Sequence, residues 1–199
     1  MSTHIPSGVQ RLISRLGDIP LAVFAADWSL VSWTPLWAAL VGDPMLLPVV
    51  ERNLVHLTFL SAADSPSRSA MAPIRSESGH AAVEAALVSD LRVASSVYPH
   101  EQRLTDLIAR ALATSPRFAR MWASSAVGTH TSDRKTITHP HVGDICVDCD
   151  ILTVPGADLK MVVYTVAADT PDAEKLDFLR VMGAHTLPGA GPASGSTGS

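Results

Sequence analysis

Residues 135–166 read KTITHPHVGDICVDCDILTVPGADLKMVVYTV, and this stretch decides the fold class. With the residues just before it, the stretch contains three strand-like runs, at 129–138, 145–154 and 161–166. His-Pro-His-Val-Gly-Asp and Pro-Gly-Ala-Asp separate the runs, and both compositions are typical of turns. The stretch therefore predicts three consecutive antiparallel strands.

Upstream of this stretch, the first forty residues predict a helix, two short strands and a second helix. Apolar residues recur at helical spacing over residues 7–17. Two runs at 21–26 and 28–33 meet at an Ala-Asp step and favour a pair of strands. Residues 36–41 follow a proline and precede Gly42, which is typical of a short helix.

The region between these strands and the later ones has a helical period from about residue 48 to 126. The segment 61–78 contains two prolines and six serines, so its composition predicts a loop. Serine or threonine followed by proline, at Ser115 and at Thr170, marks the start of two further helices.

Together these elements predict an α+β fold with a PAS-like antiparallel five-stranded sheet and a helical insertion packed on one face. We expect residues 1–6 to form an N-terminal extension and residues 7–184 to form the domain. Residues 185–199 are rich in Gly, Pro and Ser and predict a disordered tail. Between the sheet and the helices there is room for a pocket with apolar walls.

Composition excludes several classes of protein. Of 199 residues, 47% are hydrophobic and 17% are charged, which is too apolar for a disordered chain. The net charge of −4 argues against a surface that binds nucleic acid, and no apolar run is long enough to span a membrane. The N-terminus has no secretory signal pattern, so we expect a cytoplasmic protein with Cys146 and Cys149 as thiols.

No motif of an established enzyme class occurs in the chain, which favours a non-enzyme without a cofactor. The Cys146–Cys149 spacing resembles half a zinc site, but a second pair is missing, so structural cysteines are expected. His139, His141 and Asp144 could form a metal triad of a small metal-dependent enzyme, or they could stabilise a turn. No metal site is therefore predicted, and both interpretations of this triad stay open.

Arg52 and Asn53 stand at the start of an otherwise apolar segment, where a helix N-terminus favours an anion. The pair is therefore either an ordinary exposed helix start or part of a site that holds a ligand.

Several segments, in the same order along the chain, resemble the C-terminal ligand-binding domain of MmyB-like transcription regulators. The resemblance covers about residues 8–182. The segments are Leu30–Trp33 with Leu36–Asp43, Glu51–Leu54 with Phe59–Leu60, Arg117–Trp122, Lys135–Pro140 with Val142–Gly143, and Leu159–Tyr164.

This resemblance implies a PAS-like sensor domain that follows a helix-turn-helix DNA-binding domain and binds a fatty acid or a similar elongated apolar molecule. Arg52 is the expected partner of the ligand carboxylate, with Asn53 and His139 as neighbours, and Phe59 and Trp122 are candidate walls. No helix-turn-helix occurs in this chain, so contact with DNA is expected only through such a domain. We expect this domain to form a homodimer. A free-standing dimerisation or interaction module is the alternative function.

Overall fold

An antiparallel sheet of six strands organises the computed structural model, which describes residues 4–62, 65–124, 128 and 132–186. The strand order across the sheet is β2-β1-β6-β5-β4-β3. The strands are β1 Leu21–Ala25, β2 Leu30–Trp33, β3 Ile74–Ser76, β4 Asp133–His139, β5 Gly143–Val154 and β6 Leu159–Thr165. The three strands predicted from residues 129–166 are confirmed as β4, β5 and β6, and they pair in sequence order.

Helices pack against both faces of the sheet. They are α1 Ser7–Arg15, α2 Pro35–Val41, α3 Pro66–Ser69, α4 His80–Val97, α5 Gln102–Thr114, α6 Pro116–Ala123 and α7 Pro171–Thr186. Short 3₁₀ turns at Pro44–Leu46 and Val49–Glu51 and a π turn at His56–Leu60 connect α2 to α3.

Side-chain caps explain where three of the helices begin. The hydroxyls of Thr34, Ser115 and Thr170 accept hydrogen bonds from backbone N–H groups of α2, α6 and α7 at 3.2–3.3 Å. Each cap is followed by a proline at the first helical position, where its missing N–H costs nothing. The predicted α+β class is observed, and these three helices begin directly after their capping residues.

The prediction of five strands is wrong by one strand among the described residues. β3 lies inside the segment 61–78, whose composition predicts a loop. It pairs with β4 through the register Ile74↔Ile137 and Ser76↔Lys135. A strand of three residues has too few positions to show alternation, and its pairing partner lies about sixty residues away in the sequence. Local composition therefore could not reveal it.

The two faces of the sheet pack against different helices. One face, called here the inner face, packs against α2, α4 and the π turn and carries the main hydrophobic core. The opposite, outer face is covered near β1 and β6 by the amphipathic α1. Adjacent residues of a strand therefore point to different environments: Val162 faces the core, whereas Val163 faces α1.

The predicted domain boundaries fall close to element ends. α1 begins at Ser7, and α7 runs to Thr186, so the predicted tail at 185–199 begins inside this helix. Residues 187–199, and residues 1–3 of the predicted extension, lie outside the described residues. Within the described residues, none of the helices has both the length and the apolarity to cross a membrane.

Candidate functional site

An apolar cavity of about 140 Å³ lies between α2 and the inner face of the sheet, and we call it the α2 lobe. Its lining includes Phe24, Trp37, Val41, Leu57, Met71 and Ile74. Trp37 and Val41 are one helical turn apart, so both side chains project from the same face of α2. The polar residues of its wall are Arg52, Asn53 and Tyr164.

A second cavity of about 120 Å³ lies beneath α4 on the same face of the sheet, and we call it the α4 lobe. Its lining includes Trp28, Val83, Ala86, Leu87, Cys149 and Ile151. Leu54, Val162 and Tyr164 line both lobes, so these three side chains form the partition between them. The inner face thus carries two neighbouring cavities with a shared wall, one beneath α2 and one beneath α4.

The polar end of the α4 lobe is an ion pair between Lys135 and Asp133, which are 2.9 Å apart. Both side chains are almost fully buried, at 13% and 12% exposure. Asp133 also accepts hydrogen bonds from the hydroxyls of Ser76 and Ser78. Burial raises the pKa of Asp133, but the hydrogen bonds from Ser76 and Lys135 outweigh this effect and lower the pKa to about 2.

Asp133→Asn is expected to lower the free energy of unfolding by about 1–2 kcal/mol at neutral pH, because hydrogen bonds to a charged group are lost. The folded pKa of about 2 lies below the ordinary value of 3.8, so the stabilisation is present above that value. It disappears as the pH falls through about 2. Urea unfolding of both proteins at neutral and at acid pH measures this loss.

Asp148→Asn is the matched control, because Asp148 pairs with Arg134 on the outer face and both side chains are more than half exposed. This variant should change stability by less than about 1 kcal/mol. A deficit of Asp133→Asn that persisted unchanged in acid would contradict the assigned ionisation.

Arg52 and Asn53, predicted together from the sequence, are brought to the α2 lobe together. Arg52 is half-buried, and its Nε donates to the carbonyl of Leu47 at 3.1 Å. Asn53 is buried, and its Oδ1 accepts a hydrogen bond at 3.0 Å from the N–H of His56, the first residue of the π turn. The Asn53 amide nitrogen donates to Asp27 and Ser29, so this side chain also anchors the turn between β1 and β2.

The same turn carries Trp28, which has a left-handed φ of 63° and a completely buried side chain. Its Nε1 donates to Asp90 of α4 at 3.0 Å, and Lys160 of β6 lies over its ring at 5.1 Å. Trp28 therefore ties the turn to the helix above the α4 lobe, whereas Asn53 ties it to the wall of the α2 lobe.

Phe59 and Trp122 lie together but line neither lobe. Both pack against the fully buried Phe118, with ring centroids 5.1 Å and 5.5 Å from it. Arg92 lies over the ring of Trp122 and donates to the backbone carbonyls of Met121 and Trp122. This aromatic cluster joins the π turn to α6, and the proposed role of its members as ligand walls stays a prediction.

His139 borders a separate cleft, which adjoins the α2 lobe through Val41, Met71 and Ala72. Its Nδ1 accepts from the N–H of His141 at 3.2 Å, and its Nε2 lies 3.0 Å from the carbonyl of Ala39. Burial lowers the pKa of His139, so the neutral ring donates from Nε2.

This geometry corresponds to the turn-stabilising interpretation of His139 rather than to a metal triad. Asp144 pairs with Thr138 and Arg75 on the outer face, whereas His139 points to the inner one. Within the described part of the chain, no three His, Cys, Asp or Glu side chains lie close enough together to hold a metal ion.

Cys146 and Cys149 lie on opposite faces of β5, as their spacing on a strand predicts. Both are free thiols. Burial raises the pKa of Cys149 to about 11, so its thiol is protonated and unreactive at neutral pH.

Sequence reasoning did not identify Trp37, Tyr164 or Lys135 as site residues. Trp37 and Tyr164 look like ordinary core residues of a helix and a strand, and both are at least nine-tenths buried. The charge of Lys135 gives no indication that its side chain turns inward. The signal that could have found it is the alternation of the strand, because Lys135 is two residues from the buried Ile137 in β4 and so lies on the same face.

The arrangement as a whole can bind a small molecule. Its walls are apolar, and its few polar groups lie along the edges of the two lobes. None of the curated proteins matches this chain. A family model, that of the MmyB-like transcription regulator ligand binding domain, matches residues 5–179. With most of its length matched and an inner face that carries two apolar cavities, the chain belongs to the MmyB-like transcription regulator ligand-binding domain family.

Proposed function

We propose that this chain is the sensor domain of a transcription regulator and that its two-lobed cavity binds a fatty acid or a similarly elongated apolar molecule. The observation that supports this most directly is the partition of Leu54, Val162 and Tyr164, which two apolar cavities share. The domain binds its ligand without transforming it and without a cofactor. It works in the PAS-like manner, with the ligand held between sheet and helices.

The sizes of the lobes favour an elongated ligand. At about 140 and 120 Å³, each is well below the roughly 300 Å³ at which pockets for whole small molecules begin. A chain that crosses the partition uses both lobes, with a shift of the Leu54 side chain. Each buried methylene contributes about 0.8 kcal/mol, so an acyl chain gains enough to offset the loss of its freedom.

The carboxylate end is proposed to meet Arg52 at the edge of the α2 lobe. Asn53 keeps the backbone beside Arg52 in place, because its own amide is engaged with Asp27, Ser29 and His56. His139 borders the adjoining cleft, and its neutral ring is the proposed neighbour of the ligand carboxylate. In this proposal a helix-turn-helix domain of the regulator binds DNA. The regulator acts in the cytoplasm as a homodimer.

The direct experiment is to extract the purified protein with organic solvent and to identify the bound material by mass spectrometry. Protein stripped of that material is then titrated with dodecanoic acid in a calorimeter. An acyl species in the extract and a saturable titration are expected. Failure of long-chain acids to bind the stripped, folded protein would overturn the proposal.

Arg52→Gln is expected to weaken the binding of dodecanoic acid by about tenfold or more and to leave binding of its methyl ester unchanged. A charge-assisted hydrogen bond between guanidinium and carboxylate is lost only for the acid. Calorimetric titrations of both ligands measure the difference. Arg11→Gln, an exposed change on α1 at the other side of the sheet, is the control and should bind both ligands normally. Equal losses for acid and ester would instead show that Arg52 acts through its bond to Leu47.

A further inference from the structure

Trp37 has a buried hydrogen-bond donor that finds no acceptor in the part of the chain that the structure describes. The residue is buried, with an exposed fraction of only 5%, and it lines the α2 lobe. Its Nε1 atom is buried and has no acceptor among the described residues. Since buried donors are nearly always paired in folded proteins, this atom requires a specific explanation.

Tyr164 adds a second polar group nearby. It lines both lobes, and only 6% of the residue is exposed. Burial raises the pKa of its phenol, so the hydroxyl stays protonated at neutral pH and can both donate and accept. A plain hydrocarbon chain in this part of the cavity offers neither group a partner.

We propose that the ligand carries an oxygen atom along its chain, in addition to its terminal carboxylate, and that this oxygen accepts a hydrogen bond from Trp37 Nε1. This inference rests on the proposed function, and it narrows the ligand from fatty acids in general to oxo or hydroxy fatty acids. The pairing of Trp37 with a ligand oxygen explains how the lobe tolerates an unpaired N–H within an apolar wall.

The geometry also constrains where along the chain the oxygen lies. Arg52 and Trp37 line the same lobe, and a cavity of about 140 Å³ is close in size to one that holds a benzene molecule. A carboxylate at Arg52 and an acceptor at Trp37 are therefore separated by only a few carbons. The keto or hydroxyl group is expected in the half of the chain nearest the carboxylate.

The test compares dodecanoic acid with oxododecanoic acids whose keto group lies at successive odd carbons. The wild-type protein, stripped of bound material, is titrated with each acid in a calorimeter. The best keto acid is expected to bind about tenfold or more tightly than the plain acid, because the plain acid leaves a buried donor unpaired. In Trp37→Phe this preference, measured as the ratio of the affinities of the two acids for the same protein, is expected to disappear.

Trp33→Phe is the matched control. Trp33 is a half-buried tryptophan that packs against the same core, but it lines neither lobe, so this variant should retain the preference for the keto acid. Nitrogen-15 labelling of the four tryptophans provides a second measurement. The indole N–H resonance of Trp37 is identified by its absence from the spectrum of Trp37→Phe or by selective labelling. It should shift when the keto acid binds and much less when the plain acid binds.

The possible outcomes separate this inference from the proposed function. If the plain acid binds as tightly as every keto acid, the inference is wrong and the fatty-acid sensor stands. A preference that persists in Trp37→Phe likewise overturns the inference, because the oxygen then meets another group. If no acid of either kind binds the folded protein, the proposed function fails and the inference fails with it.

Discussion

Val162→Phe is expected to abolish ligand binding, with a loss of affinity for dodecanoic acid of at least about a hundredfold. Val162 belongs to the partition that both lobes share, so a phenyl ring at this position occupies the place where the proposed ligand crosses from one lobe to the other. A cavity of this size accepts a benzene ring, so the larger side chain fits without a large cost in stability. Calorimetric titration measures the affinity, and thermal unfolding verifies that the variant is folded.

Val163→Phe is the control for this experiment. Val163 is the next residue of β6 and packs against the outer cluster beneath α1, on the other face of the sheet. It should bind the ligand as the wild type does, although it adds the same side chain to the same strand. Normal binding by a folded Val162→Phe protein would contradict the assignment of the two lobes as one binding site.

Phe118→Ala is expected to lower the free energy of unfolding by about 3–5 kcal/mol, the largest effect on stability in this set. Phe118 is fully buried and contacts both Phe59 and Trp122, so truncation leaves a cavity between the π turn and α6. Equilibrium unfolding in urea measures the loss.

The matched change is Phe178→Ala on α7, where the side chain is 51% exposed. It should cost less than about 1 kcal/mol, because little apolar surface is returned to water. Similar losses in the two variants would mean that the aromatic cluster is not the anchor of α6 that its burial indicates.

The regular elements of this fold were predictable because each carries a local signal. The hairpins of β4, β5 and β6 have turn residues between alternating runs, and α6 and α7 have a capping residue followed by proline. β3 was not predictable, because the strand with which it pairs, β4, is distant in the sequence and the composition around β3 is that of a loop.

The site was predictable in part. Arg52 and Asn53 stand out in sequence because polar residues interrupt an apolar segment, and the fold brings both to the α2 lobe. Trp37 and Tyr164 carry no such signal, since a buried aromatic residue reads the same whether it fills a core or lines a cavity. His139 and Asp144 are close in sequence, but the alternation of β4 and β5 puts them on opposite faces.

The turn between β1 and β2 gives the two lobes a mechanical connection. Trp28 fastens this turn to α4 through Asp90, and Asn53 fastens it to the wall beside Arg52. A ligand group that displaces Trp28 is therefore expected to shift the β1–β2 turn that Asn53 holds. A ligand group that displaces Asn53 is expected to shift Trp28 in the same way. Because one turn is fastened to the walls of both lobes, we expect occupation of one lobe to reshape the other, so that the domain responds to its ligand as a cooperative unit and not as two independent pockets.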